Sequence, residues 1–270
     1  GVYAVVVFQV DSQKTTHTLE IDCRLFFERD PQHRCLMQLE YQGQPRMAVF
    51  RGSDTAQTFE LAPVTRWERF REFTGEGIHH IWTGYDHMLF LIARLLPAVL
   101  RSEGGRWEAV ERFRPALISV VKIVTAFTIA HSITLSLATL KLVSLPTRLV
   151  ESAIAASVAV AALNNLWPLF RDRGWLVAFS FGLMHGFGFA SALSVLNLGS
   201  GTLALALVSF NVGVEAGQLV VVALFLPVAY RLRRTRLYRQ GALGTGSVFI
   251  AGVALTWMCE RLLAVRLLPF

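Results

Sequence analysis

GIHHIWTGYDHMLFLIARLLPAVL, residues 77–100, decides how this chain reads. The run is long and apolar enough to cross a bilayer, which takes about 20 residues. Yet it carries His79, His80, Asp86 and His87. An ionisable group at membrane depth costs about 2.5–3.5 kcal/mol on insertion scales and survives where it faces the protein interior. Further apolar stretches repeat the anomaly with His131, Glu151, His185 and Glu215. Together they predict a polar, metal-binding site buried in a small helical membrane protein.

Composition agrees with that class. The 270 residues are 53% hydrophobic and 17% charged, with a mean hydropathy of +0.46, whereas a soluble domain is about a quarter charged. The net charge of +7 is not a nucleic-acid footprint, because the arginines cluster between apolar segments and make no continuous patch. No nucleic-acid partner is expected. Windows of about 20 apolar residues predict six spans, at 78–100, 116–139, 149–170, 175–196, 202–230 and 242–263.

Residues 1–66 follow a different period. Leu19, Ile21, Cys23, Leu25 and Phe27 alternate with mostly polar neighbours, and Cys35, Met37, Leu39 and Tyr41 repeat the alternation. With Asp30-Pro31 and Gly43 as breaks, this predicts short antiparallel strands. WERFREF (67–73) then opens an amphipathic interfacial connector over 67–76. The expected architecture is a mainly α membrane protein: an extracytoplasmic β domain (1–66), the connector, and a six-helix transmembrane bundle (77–270).

Basic residues orient the bundle. With the β domain outside, the cytoplasmic loops are 101–115 (Arg101, Arg106, Arg112, Arg114), 171–174 (Arg171, Arg173) and 231–239, where RLRRTRLYR holds five arginines. The outside connections carry only Lys141 and Arg148, as the positive-inside rule requires. Arg94 and Lys122 are expected to snorkel to the inner surface. The lipid bilayer is expected to be a plasma (inner) membrane. Since an outside domain needs export, the chain is expected to be a mature or trimmed form. Cys23 and Cys35 share a parity on adjacent expected strands, which leaves open either a disulfide or a reduced core pair. Cys259 reads as packing.

This topology gives depth. His79 and His80 fall at the outer mouth, Asp86 and His87 two turns deeper, and His131 in the outer half of its span. Glu151 begins span three, His185 is mid-depth in span four, and Asn211, Glu215 and Gln218 are mid-depth in span five. Asn164 and Asn165 sit toward the inner end. His80, Gly84 and His87 stand at i, i+4 and i+7, as do Asn211, Glu215 and Gln218, so each set shares a helix face. Gly182 and Gly186 form a small-xxx-small step that lets helices approach closely.

Imidazoles beside carboxylates in a dry place suit nickel, zinc, copper or iron. A carboxylate or amide orients the far nitrogen of each ligating histidine, a role open to Asp86, Glu151 or Asn211. No strict metal signature is present, and the argument rests on convergence.

Five segments also resemble a known family: GIHHIWTGYDHMLFL (77–91), FTIAHSITLSLA (127–138), VESAIAAS (150–157), FGLMHGFGFASAL (181–193) and FNVGVEAGQL (210–219). In this order they are similar to the HupE/UreJ family, in its branch with an extracytoplasmic β domain. The resemblance implies a nickel or cobalt permease or metal-supply accessory, linked to hydrogenase or urease maturation. It implies metal ligands at His80, Asp86, His87, His131 and His185. His79, Glu151, Asn164, Asn211, Glu215 and Gln218 then orient ligands or line the ion's route. A better-characterised branch opens with His-Pro, where this chain has His79-His80. The alternative expectation is a zinc-dependent intramembrane hydrolase acting on a lipid or membrane peptide, with Glu215 as general base on zinc-bound water. A serine nucleophile at Ser132 or Ser180 is a weaker variant of it.

Overall fold

The structure is a computed structural model that describes residues 6–10, 18–25, 27–28, 34–41, 44–51, 54–61, 65–103, 106–168, 170, 173–188 and 200–263. The chain comprises two units, one ending at Thr65 and one beginning at Arg66.

In the N-terminal unit β1 (Thr18–Asp22) pairs antiparallel with β4 (Ala56–Glu60), and β2 (Arg34–Tyr41) pairs with β3 (Gln44–Arg51). Period-two patterning holds in β1, whose Leu19 and Ile21 are half-buried between exposed Thr18, Glu20 and Asp22. Phe50 is fully buried and stands opposite Cys35 in the β2–β3 ladder. Cys35 lies in β2 and Cys23 directly follows β1, which pairs in the other sheet; this corrects the expectation of neighbouring strands. The expected breaks at Asp30-Pro31 and Gly43 lie outside the described residues.

The second unit is helical. Its elements are α1 (Arg66–Thr83), α2 (Tyr85–Leu95), a β5–β6 hairpin (Leu100–Glu103, Arg106–Ala109), α3 (Phe113–Thr139), α4 (Thr147–Leu166), α5 (Gly174–Gly188), α6 (Ser200–Leu232), a π-helical segment (Leu237–Thr245) and α7 (Gly246–Leu263). Four stretches among them are long and apolar enough to span a membrane: Phe113–Thr139, Thr147–Leu166, Gly201–Leu232 and Leu237–Leu263. The first expected span is instead a broken helix, α1 and α2 meeting at Gly84. Residues 67–76 are continuous with His79 and His80 in α1. The described part of the fourth expected span is the 15-residue α5, and 189–199 lie outside the described residues.

Glycines set the helix pairs that frame the interior. A Cβ on Gly182 would strike the Phe127 carbonyl of α3 and come within 3.0 Å of the Ala130 side chain; one on Gly186 would strike Thr134 Oγ1 and the His131 carbonyl. The expected small-xxx-small step therefore docks α5 on α3. A second step, Gly213-x-x-x-Gly217, does the same for α6 and α1. Gly213 lies under the Thr74 carbonyl, and Gly77 of α1 under the Phe210 carbonyl. Close backbone approach is how helices associate without a hydrophobic driving force in lipid.

α4 packs on α7, clasped by Arg148. Its Nε donates to the Arg261 carbonyl at 2.8 Å and its Nη2 to the Leu262 carbonyl. These satisfy carbonyls that a helix C-terminus otherwise leaves unpaired.

Three sequence expectations change here. Arg94 does not snorkel: it is 8% exposed, with Nη2 turned to the Gly174 carbonyl at 3.5 Å, while Lys122 is exposed as expected. Cys259 is exposed instead of packed. The 101–115 segment is no plain loop, because residues 100–109 close a hairpin.

Candidate metal centre

Gly84 makes the site geometry. It ends one helix and begins the next: its N–H donates to the His80 carbonyl at 2.9 Å, and its own carbonyl accepts Met88 N–H at 3.0 Å. A Cβ there would lie 2.8 Å from the His80 carbonyl, 2.9 Å from His87 Nδ1 and 3.2 Å from Asp86 Oδ1. Only a residue without a side chain lets the chain turn this tightly beside both groups. His80 and His87 thus belong to different helices, not to one face of a single helix as the spacing predicted. The break nonetheless brings their ring centroids to 4.6 Å.

Four helices contribute a histidine each. His131 of α3 and His185 of α5 are fully buried, and His87 of α2 is 5% exposed. Ligand atoms of His80, His87 and His131 lie within 4.8 Å of one another. The His185 ring stands 4.9 Å from that of His87. Phe90, Phe127 and Phe210 wall the cluster: Phe127 is 5.2 Å from His185 and 6.1 Å from His131, Phe90 is 5.5 Å from His185, and Phe210 is 5.3 Å from His80.

Three of the rings are held from behind. His87 Nδ1 meets Asp86 Oδ1 at 2.9 Å, and the same oxygen accepts the His87 backbone N–H. His185 Nδ1 meets the Phe181 carbonyl at 2.9 Å. His131 Nδ1 meets Asn211 Oδ1 at 3.3 Å, and Asn211 Nδ2 donates to the Leu207 carbonyl, which turns the amide oxygen toward the ring. Each partner is an acceptor, so each Nδ1 donates, and in the neutral ring Nε2 is then the atom with the lone pair. The Nε2 atoms of His87, His131 and His185 are buried with no hydrogen-bond partner. A buried polar atom left unpaired costs about 1–3 kcal/mol, and the ligand atoms of His80, His87 and His131, within 4.8 Å of one another, are a donor set that a d-block cation takes.

The remaining expected residues divide. Asp86 lies at the edge of the cluster as the acceptor for His87. Asn211 serves His131. Glu215 Oε1 accepts the Thr125 hydroxyl at 2.7 Å and Gln218 Oε1 the Thr128 hydroxyl at 3.4 Å, so the α6 polar face meets α3. His79 is exposed on α1. Glu151 does not join the histidines: it pairs with Arg261 at 3.3 Å on the α4–α7 surface. Asn164 Oδ1 accepts the Phe170 N–H in the turn after α4, and Asn165 Nδ2 bonds the Ala93 carbonyl and Ser247 Oγ. Ser132 and Ser180 hydroxyls donate to carbonyls one helical turn back. The phenylalanine walls were missed by sequence reasoning, although Phe127 precedes His131 by one turn and Phe90 follows His87 at i+3.

A family model described as HupE / UreJ protein matches residues 55–261. Comparisons with curated proteins and with solved structures give no match.

Proposed function

The chain belongs to the HupE/UreJ family, and from that premise we propose that it binds a divalent transition metal, nickel or cobalt, as cargo. It acts as a permease or metal-supply accessory in a bacterial inner membrane. The observation that carries this reading is the buried histidine cluster drawn from α1, α2, α3 and α5, in which the Nε2 atoms of His87, His131 and His185 have no hydrogen-bond partner. His80 completes a trio with His87 and His131.

Imidazole ligands leave most of the ion's charge uncompensated, and among the described residues Asp86 is the carboxylate at the edge of the cluster. Such a site favours exchange over permanent retention, and a carrier must release what it captures. The break at Gly84 supports the same reading, because discontinuous helices are where transporters build their ion sites. In the full proposal the chain crosses the membrane six times, the N-terminal unit faces outward, and loops 101–115, 171–174 and 231–239 face the cytoplasm. Delivery to hydrogenase or urease maturation machinery is the family's contribution to the proposal.

The test uses the purified full chain in vesicles that enclose a metal-sensitive dye. Uptake of nickel or cobalt is expected, with loss in His87→Ala and His131→Ala. Zinc held without exchange and without flux would replace the permease with the metal hydrolase. No metal bound at all would end both readings.

A further inference from the structure

Among its described residues the N-terminal unit has a small apolar core. Among its described residues each sheet has two strands, and a two-stranded sheet alone is marginal in water. Phe50 and Ala48 are the buried apolar side chains among its described residues. A core that small calls for a staple.

Cys23 and Cys35 stand where a staple would go. Their Sγ atoms are 2.7 Å apart, both are free thiols, and both are half-buried. Each is held in place by backbone. Cys35 sits in the β2–β3 ladder opposite Phe50. Cys23 extends the β1–β4 ladder, its N–H donating to the Thr55 carbonyl at 2.8 Å. The contact therefore joins the outer strand pair to the hairpin enclosed between β1 and β4. Gln57 of β4 ties the same two sheets a second time, donating through Nε2 to the Val49 carbonyl at 3.1 Å. Both cysteines precede the family match at residue 55, so nothing in that match accounts for the pair.

We propose that Cys23 and Cys35 are a disulfide-forming pair that cross-links the two sheets of the N-terminal unit when a small disulfide, such as glutathione disulfide, is present. One cysteine thiolate attacks a sulfur of the oxidant, forming a mixed disulfide and expelling one thiol. The second thiolate then attacks the protein-bound sulfur of that mixed disulfide, forming the Sγ–Sγ bond and expelling the second thiol. Two cysteines are oxidised, one disulfide is reduced to two thiols, and the two cysteine protons end on the leaving thiols. Burial pushes the Cys35 thiol up to about 11, with the Cys23 hydrogen bond adding to it. The reaction is therefore slow at neutral pH and quickens as pH rises.

The experiment takes the full chain in detergent, reduces it, exposes it to glutathione disulfide, alkylates free thiols and maps the peptides without reduction. The expected product is a peptide pair joined through Cys23 and Cys35, lighter by two hydrogens, with Cys259 still alkylated. Cys259→Ser should leave that product unchanged. In Cys35→Ser, Cys23 should end as a glutathione mixed disulfide. Two separate glutathione adducts in the wild-type chain, or two alkylated thiols, or a bridge to Cys259, would each overturn the inference.

Discussion

Gly84→Ala isolates the geometry of the cluster from its chemistry. Two effects oppose one another at this position. Alanine is the better helix former by about 0.8–1.0 kcal/mol, so the substitution favours fusing α1 and α2 into one helix. Its Cβ would also lie 2.8 Å from the His80 carbonyl and 2.9 Å from His87 Nδ1, where ordinary contact begins at 3.4 Å. Clearing both requires local shifts of about 0.5 Å, and overpacking of this kind costs about 1–3 kcal/mol. The clash outweighs the propensity gain, and the movable group is the His87 ring. Its displacement loosens the 2.9 Å hold of Asp86 on Nδ1 and turns Nε2 off its line. Loss of such an orienting contact weakens metal affinity by about 10–100-fold. Isothermal titration of nickel into the purified chain should show that loss, with helix content by circular dichroism unchanged. Gly252→Ala is the control, since a Cβ there meets nothing within 4 Å. A Gly84→Ala chain that binds nickel within about twofold of wild type would refute the orientation argument.

Other expectations follow from the same contacts. Asn211→Ala frees the His131 tautomer and should weaken metal binding by about 10-fold or more, read by the same titration. Gly186→Val places carbon against Thr134 Oγ1 and the His131 carbonyl, so α3 and α5 must part; both the melting temperature and metal affinity should fall. Glu151→Gln breaks only a half-exposed pair with Arg261, worth about 0.2–1 kcal/mol, and should leave metal affinity unchanged; a loss would place Glu151 at the site. In a Cys23→Ser chain, iodoacetamide labelling of Cys35 should be slow at neutral pH and climb toward alkaline pH. A raised thiol pKa keeps the unreactive protonated form dominant until the pH approaches it.

Much of the candidate site was legible because the bilayer makes polar residues conspicuous. In apolar spans the cost of burying His87, His131 and His185 singles them out, and the i, i+4, i+7 spacing of Asn211, Glu215 and Gln218 correctly places them on one α6 face toward α3. The same reasoning misplaced Glu151, because an acid at a helix start satisfies the rule equally well by pairing with Arg261 at the surface. Arg94 was misread for a related reason: its depth was foreseeable, but the start of α5, which offers it the Gly174 carbonyl, was not.

By itself the sequence determined that this is a membrane protein with a short β-rich segment ahead of its helices, because hydropathy and period two are local properties of the chain. It also marked the glycine step on α5, since small residues at four-residue spacing mean close packing wherever they fall. Tertiary structure alone decided that the helix breaks at Gly84, that Asp86, Asn211 and the Phe181 carbonyl each hold an imidazole from behind, and that the Nε2 atoms of His87, His131 and His185 are buried without a partner. Those facts depend on which backbone approaches which ring, and residues as distant in the chain as His131 and Asn211 meet only after the helices have packed.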